Sequence, residues 1–138
     1  MNIKRVITSG LLAGLLIIIS ALTMIPVVGN EMDAVLADRG LPPLSIGAMI
    51  YFGVLSLSFG VLLVWLYAFA NVQLGSGVKT ALKVAVFFWF LTYFLANVSL
   101  IAYGFMPVRL TVIGTAWGLG ELVIAAIVGA KIYDRGQH

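Results

Sequence analysis

The chain has no cysteine, a single histidine at its last position, His138, and very little charge: only 9% of its 138 residues are Asp, Glu, Lys or Arg. The missing cysteines exclude disulfides, Fe–S clusters, thiolate metal sites and thiol nucleophiles. One histidine supplies neither a His-based triad nor a metal cluster nor an intramembrane haem ligand, so no metal and no cofactor is expected. An ordinary soluble domain is about 25% charged and about 45 to 50% apolar. This chain is 62% hydrophobic, so a soluble fold of its size has too little polar material to cover its surface. A soluble enzyme is excluded, and the expected class is an all-α protein integral to a lipid bilayer.

What is there in abundance is long apolar runs. A spanning helix needs roughly 20 mostly apolar residues, because each rises about 1.5 Å and the hydrocarbon core is about 30 Å thick. Four stretches meet that demand, at 6–28, 46–72, 84–106 and 110–130, and none contains Lys or Arg. The runs lack period-two alternation, which favours helices over barrel strands. The first run follows Lys4 and Arg5 as a signal peptide would, but it outlasts the usual apolar region of about 7 to 15 residues, so it is expected to stay as a span.

Short flanks set orientation through their basic residues. Lys4, Arg5, Lys79, Lys83, Lys131 and Arg135 fall on one side of the expected bilayer, and only Arg39 and Arg109 on the other. Both termini are therefore expected in the cytoplasm. The net charge of +3 reflects these topogenic residues and not a nucleic-acid surface. Short connections at Gln73 to Thr80 and around Pro107 predict an up-down-up-down four-helix bundle forming a single domain over 1–138. In the first loop Asn30 reads as an N-cap, Glu31 and Asp33 as first-turn acids, and Gly40 with Pro42 and Pro43 as a stop. Met32, Val35 and Leu36 share one face, so a short interfacial helix is expected there. Trp65, Tyr67 and Tyr103 fit an aromatic belt.

One charged residue falls inside a span. Glu121 lies near the middle of the fourth run, where an ionisable group costs about 2.5 to 3.5 kcal/mol on insertion scales. It needs an interior position, a partner or a proton. Gly114, Gly118, Glu121, Ala125 and Gly129 repeat at helical spacing, so the carboxyl is expected to face a neighbouring helix. Asn97 and Tyr93 on the third run reach the same depth and can both donate to it, with Ser20, Ser56 and Ser58 as further polar neighbours. Gly10 and Gly14 form a GxxxG pair on the first run, and Gly114 and Gly118 another on the fourth; both are candidates for helix packing.

The segments Leu41-Pro42-Pro43, Val64-Trp65-Leu66-Tyr67-Ala68, Gly75-Ser76-Gly77-Val78-Lys79-Thr80-Ala81 and Trp117-Gly118-Leu119-Gly120-Glu121 together resemble a family of uncharacterised small four-helix bacterial inner-membrane proteins. The resemblance covers nearly the whole chain. It implies location in the bacterial cytoplasmic membrane and carries no activity, ligand or catalytic residue. Small multidrug exporters share the size and a lone intramembrane Glu, but their acid sits on the first helix, where this chain has none.

Two functions compete on this sequence. The first is a non-enzymatic accessory or assembly subunit that acts through helix packing, as a homo-oligomer or with a membrane-complex partner, with Glu121 and Asn97 as interior packing polars. The second is a small proton- or cation-coupled transporter or channel that uses Glu121. An enzyme is not expected, because no nucleophile and base, paired acids or catalytic His can be assembled.

Overall fold

The computed structural model describes residues 1–136, so His138 lies outside the described residues. Four helices carry the fold: α1 Ile3–Asp38, α2 Ile46–Leu74, α3 Val78–Ala102 and α4 Val108–Arg135. All four are long and apolar enough to cross a membrane, as expected of an integral membrane protein. Their ends follow from local chemistry. Asn2 caps α1 by accepting from the Arg5 N–H at 3.3 Å, and Ser45 caps α2 by accepting from the Ala48 N–H at 3.2 Å. Gly40 ends α1 and Gly104 ends α3, both with positive φ (69° and 74°). At each end the glycine N–H and the next N–H reach back to the last turn, as in a Schellman motif: Gly40 to Ala37 and Leu41 to Leu36, Gly104 to Ile101 and Phe105 to Leu100.

The separate interfacial helix of the first loop is corrected. Residues 30–38 are helical, but as the continuation of α1, which runs unbroken through Pro26, Gly29 and Asn30. A proline inside an apolar helix is tolerated where neighbouring groups re-satisfy the backbone. Extending an existing helix also adds one hydrogen bond per residue and avoids a new nucleation step. Asn30 consequently has no turn to cap. At 36 residues, α1 is about 54 Å long, well beyond the hydrocarbon thickness. The third span also differs from its expected limits: it begins at Val78, six residues early, and stops at Ala102, because Gly104 turns the chain there.

Packing is concentrated at one end. Buried positions fall between Val6 and Ile17 on α1, Gly60 and Ala68 on α2, Thr80 and Phe88 on α3, and Gly118 and Tyr133 on α4. That is the end carrying both termini. The Arg5 guanidinium lies against Gly136, and Tyr67 joins the α2–α3 turn to α4 by donating to Asp134 Oδ2 at 2.5 Å while accepting from the Gly77 N–H at 2.9 Å. Tyr67 is thus buried and not in an aromatic belt, since its hydroxyl finds partners inside. Toward the opposite end only Leu110 and Thr111 are buried on α4, and nothing on α3 beyond Phe88 is. An Arg109–Glu31 ion pair at 3.1 Å and the Arg39 guanidinium 5.8 Å from the Phe105 ring centre join α1 to α4 and to the turn before it.

The tight end is built on absent side chains. A Cβ on Gly60 would run into the Gly10 carbonyl and the Gly14 backbone nitrogen, and one on Gly14 would meet the Leu57 Cα at 2.6 Å. The Gly10 and Gly14 pair therefore packs within the chain, against α2. Gly129 is held similarly: a Cβ there would lie 2.6 Å from a Val64 methyl. Gly114 differs, with nothing within 4 Å of its Cβ position, so its side of α4 is not backed by a neighbouring helix there. Gly60→Ala is expected to lower the apparent melting temperature in detergent, at a cost of about 1 to 3 kcal/mol for overpacking. Gly114→Ala should leave it unchanged or raise it, since Ala is favoured over Gly in a helix by up to about 1 kcal/mol.

Candidate functional site around Glu121

Glu121 is 9% exposed and sits where α4 passes between α1 and α3. Its location follows from the stripe of small residues on its own face. Gly118, one turn earlier, leaves space that the Tyr93 ring fills, so that a Cβ there would lie 2.7 Å from the ring. The ring reaches past Gly118 and its hydroxyl donates to Glu121 Oε1 at 3.0 Å. Phe59 of α2 backs the same ring edge to face, with centroids 6.2 Å apart.

The backbone that presents Tyr93 is not ordinary α-helix. Over Phe90–Phe94 α3 widens into a π-helical stretch, with the Leu95 N–H bonded to the Phe90 carbonyl. Such single-turn π segments insert one extra residue and are frequent at functional sites. Sequence periodicity carries no signal for it, because the extra residue is accommodated without glycine or proline.

Asn97 is not joined to Glu121. Its Nδ2 donates to Thr115 Oγ1 at 2.8 Å, and Thr115 in turn donates to the Thr111 carbonyl at 2.7 Å. Trp89 Nε1 donates to the Thr115 carbonyl at 2.8 Å. Thr115 is therefore the centre of a second polar contact between α3 and α4, lying between Glu121 and the start of α4. Sequence reasoning missed it, because a threonine in an apolar helix normally bonds its own backbone and Thr115 does both. Ser56 and Ser58 stay out of the site, each donating to its own helix, at the Phe52 and Val54 carbonyls.

On the α1 side the helix borders a groove. Glu121 lines a groove of about 690 Å³ between α1 and α4, together with Leu16, Ile19, Ser20, Thr23, Ile113, Ala116, Trp117, Gly120 and Ile124. Trp117 Nε1 donates to Ser20 Oγ at 2.9 Å across the groove. Because Ser20 accepts that bond, its own proton is free to turn toward the neighbouring carboxyl. Ion pairing is different: the only pair among the described residues is Glu31–Arg109, so no protein cation balances Glu121. No three of His, Cys, Asp and Glu come together among the described residues.

Comparison with protein-family models, with curated proteins and with solved structures returns no match. The chemistry available to the site is therefore read from its geometry alone: a buried acid, two neutral donors, and one open apolar side.

The separation of the two polar contacts is measurable by double-mutant cycles in detergent unfolding. Asn97→Val with Thr115→Val is expected to show a coupling of about 0.6 kcal/mol, within the range to about 1.7 measured for interhelical hydrogen bonds in membranes. Asn97→Val with Glu121→Gln should show none. A coupling of equal size in the second cycle would mean that the amide reaches the carboxyl.

Proposed function

We propose that the chain is a non-enzymatic integral membrane protein that binds a cationic solute at Glu121, as a small proton- or cation-coupled transporter or channel. The observation that carries this reading is the open side of the carboxyl. An acid serving only to pin α3 to α4 would be sealed by the glycines and alanines around it. Glu121 instead borders a groove and has no cation of the protein beside it. Ionisable groups at such depth are functional-site candidates by default, and the π-helical stretch that delivers Tyr93 adds a second departure from regular packing at the same level.

The topology that goes with this proposal is an up-down-up-down bundle in the bacterial cytoplasmic membrane with both termini inside. It is supported by the basic residues, six on the terminal side against two on the other, and by the neighbouring placement of Arg5 and Gly136. In that frame the last residues of α1 stand at the outer surface.

A second reading is favoured by a different observation. The helices expose large apolar side chains along their length, with Ile46 77% and Val72 82% exposed at opposite ends of α2. An accessory or assembly subunit would cover these faces with a partner helix or a second copy. Mass spectrometry of the protein purified in gentle detergent distinguishes the two by the presence or absence of a stoichiometric partner.

Glu121→Gln tests the leading reading. The amide keeps the shape and can still accept from Tyr93, so the yield of folded protein should match wild type. Cation flux in reconstituted vesicles should fall by at least about tenfold, the equivalent of about 1.4 kcal/mol of binding. Unchanged flux at unchanged yield would return Glu121 to a packing role.

A further inference from the structure

Building on the cation site proposed above, we infer that its ligand is a lipophilic cation that arrives from the bilayer: a protonated amine carried on an apolar body. Four features of the groove lead to this class. Its walls are mainly aliphatic and aromatic, from Leu16, Ile19, Ile113, Trp117 and Ile124, with Glu121 as the one ionisable group. Its volume of about 690 Å³ falls within the roughly 300 to 1,000 Å³ of pockets that hold drug-sized molecules, and is far larger than a bare ion needs.

The third feature is where the groove opens. Ile19 and Ile124, on its two edges, are 56% and 58% exposed, and both belong to the membrane-spanning stretches of α1 and α4. The mouth therefore faces hydrocarbon. A small hydrated cation reaching Glu121 by that route would have to shed its water for two hydroxyls and one carboxyl, at a large desolvation cost. An ammonium on an alkyl or aromatic body is already partitioned into the bilayer, so its body replaces lipid contacts with groove contacts. The fourth feature is Trp117. Its indole lines the groove, anchored by Ser20, one turn from Glu121, and an aromatic ring beside a desolvated cation attracts it. The carboxyl accepts from the ammonium N–H, Trp117 flanks the charge, and the aliphatic walls take the tail.

Gly120 offers a way to close the groove without touching the acid. It lines the groove, and a Cβ built there meets nothing within 4 Å, so the first atom of a larger side chain has room and Gly120→Leu is expected to fill groove space. The test is saturable binding of tritium-labelled octylammonium to the purified full chain in lipid nanodiscs, with empty discs subtracted. Unlabelled octanol serves as the competitor with the same tail and no charge, and methylammonium as the competitor with the same charge and no tail. The expected result is one saturable site that neither competitor displaces. Glu121→Gln should weaken binding by roughly tenfold to a hundredfold, as loss of a hydrogen bond to a charged group does. Gly120→Leu should weaken it comparably with an unchanged melting temperature.

Absence of saturable binding, or binding that survives both variants, overturns the inference. If octylammonium fails while tritium-labelled methylammonium, run as a separate probe, binds in a Glu121-dependent manner, the cation site stands and the lipophilic class falls. If neither cation shows dependence on Glu121, both proposals fall together. Should Glu121→Gln not fold, Gly120→Leu decides alone.

Discussion

The contact on which the rest of the molecule depends is the close approach of α1 and α2 at Gly10, Gly14 and Gly60. In water, burial of apolar surface would bring two such helices together; in lipid that force is absent, because a lipid tail is as apolar as a leucine. What remains is van der Waals contact, and it is strongest where backbones meet with no side chain between them. Gly60 lies against the backbone of both Gly10 and Gly14, and Gly129 brings α4 onto Val64 and Ala13 of the same pair. With these contacts confined to the end that carries the termini, the helices are free to diverge toward the other. The groove beside Glu121 lies where tight packing gives way to that divergence.

Much of this was legible in the sequence, for reasons that can be named. Span number follows from hydropathy and length, which no tertiary contact overrides. The stop at Gly40 was readable because a positive φ there suits glycine alone. Tyr93 could be matched to Glu121 by depth along two neighbouring helices, and Gly118 by its place one turn before the acid. Other features depended on information that helical periodicity does not contain. Asn97 lies one turn beyond Tyr93, and because the two helices pair in opposite directions that step carries it past Glu121 to Thr115, six residues earlier on α4. Gly60 shares α2 with Gly47 and Gly53 but forms no GxxxG pattern with them, so its partnership emerges only once α1 is laid against it. Asn30 has the chemistry of a cap, but a cap requires a break, and the helix already under way offers none. Gly114 belongs to the small-residue stripe by spacing, yet a stripe has meaning only over the length along which a neighbour follows it.

The environment of Glu121 combines a hydrogen bond to a neighbouring helix with a groove on its other side. Tyr93 holds the carboxyl through a direct hydrogen bond, and Ser20, held by Trp117, lies on the other side of the groove that Glu121 lines. A cationic partner supplied by the protein would have made the site a closed ion pair. Its place is left to the groove, and the groove is apolar enough to limit what can occupy it. In this respect a chain with so little charge places its single intramembrane acid at the edge of a groove and not within a sealed core.

The π-helical stretch in α3 has a mechanical consequence. A helix with one residue more than its ladder requires holds that residue as a movable defect, since shifting a single hydrogen-bond partner passes it to the next turn. Each residue accounts for about 100° of rotation in an α-helix. Expelling the surplus at Phe90–Phe94 would turn everything beyond it like a screw by about that angle relative to the packed base. Tyr93 would then swing off the carboxyl and Asn97 off Thr115 in one motion, while the glycine-packed end stayed still. The same backbone irregularity that aims Tyr93 at Glu121 thus gives α3 an internal pivot, located at the height of the acid.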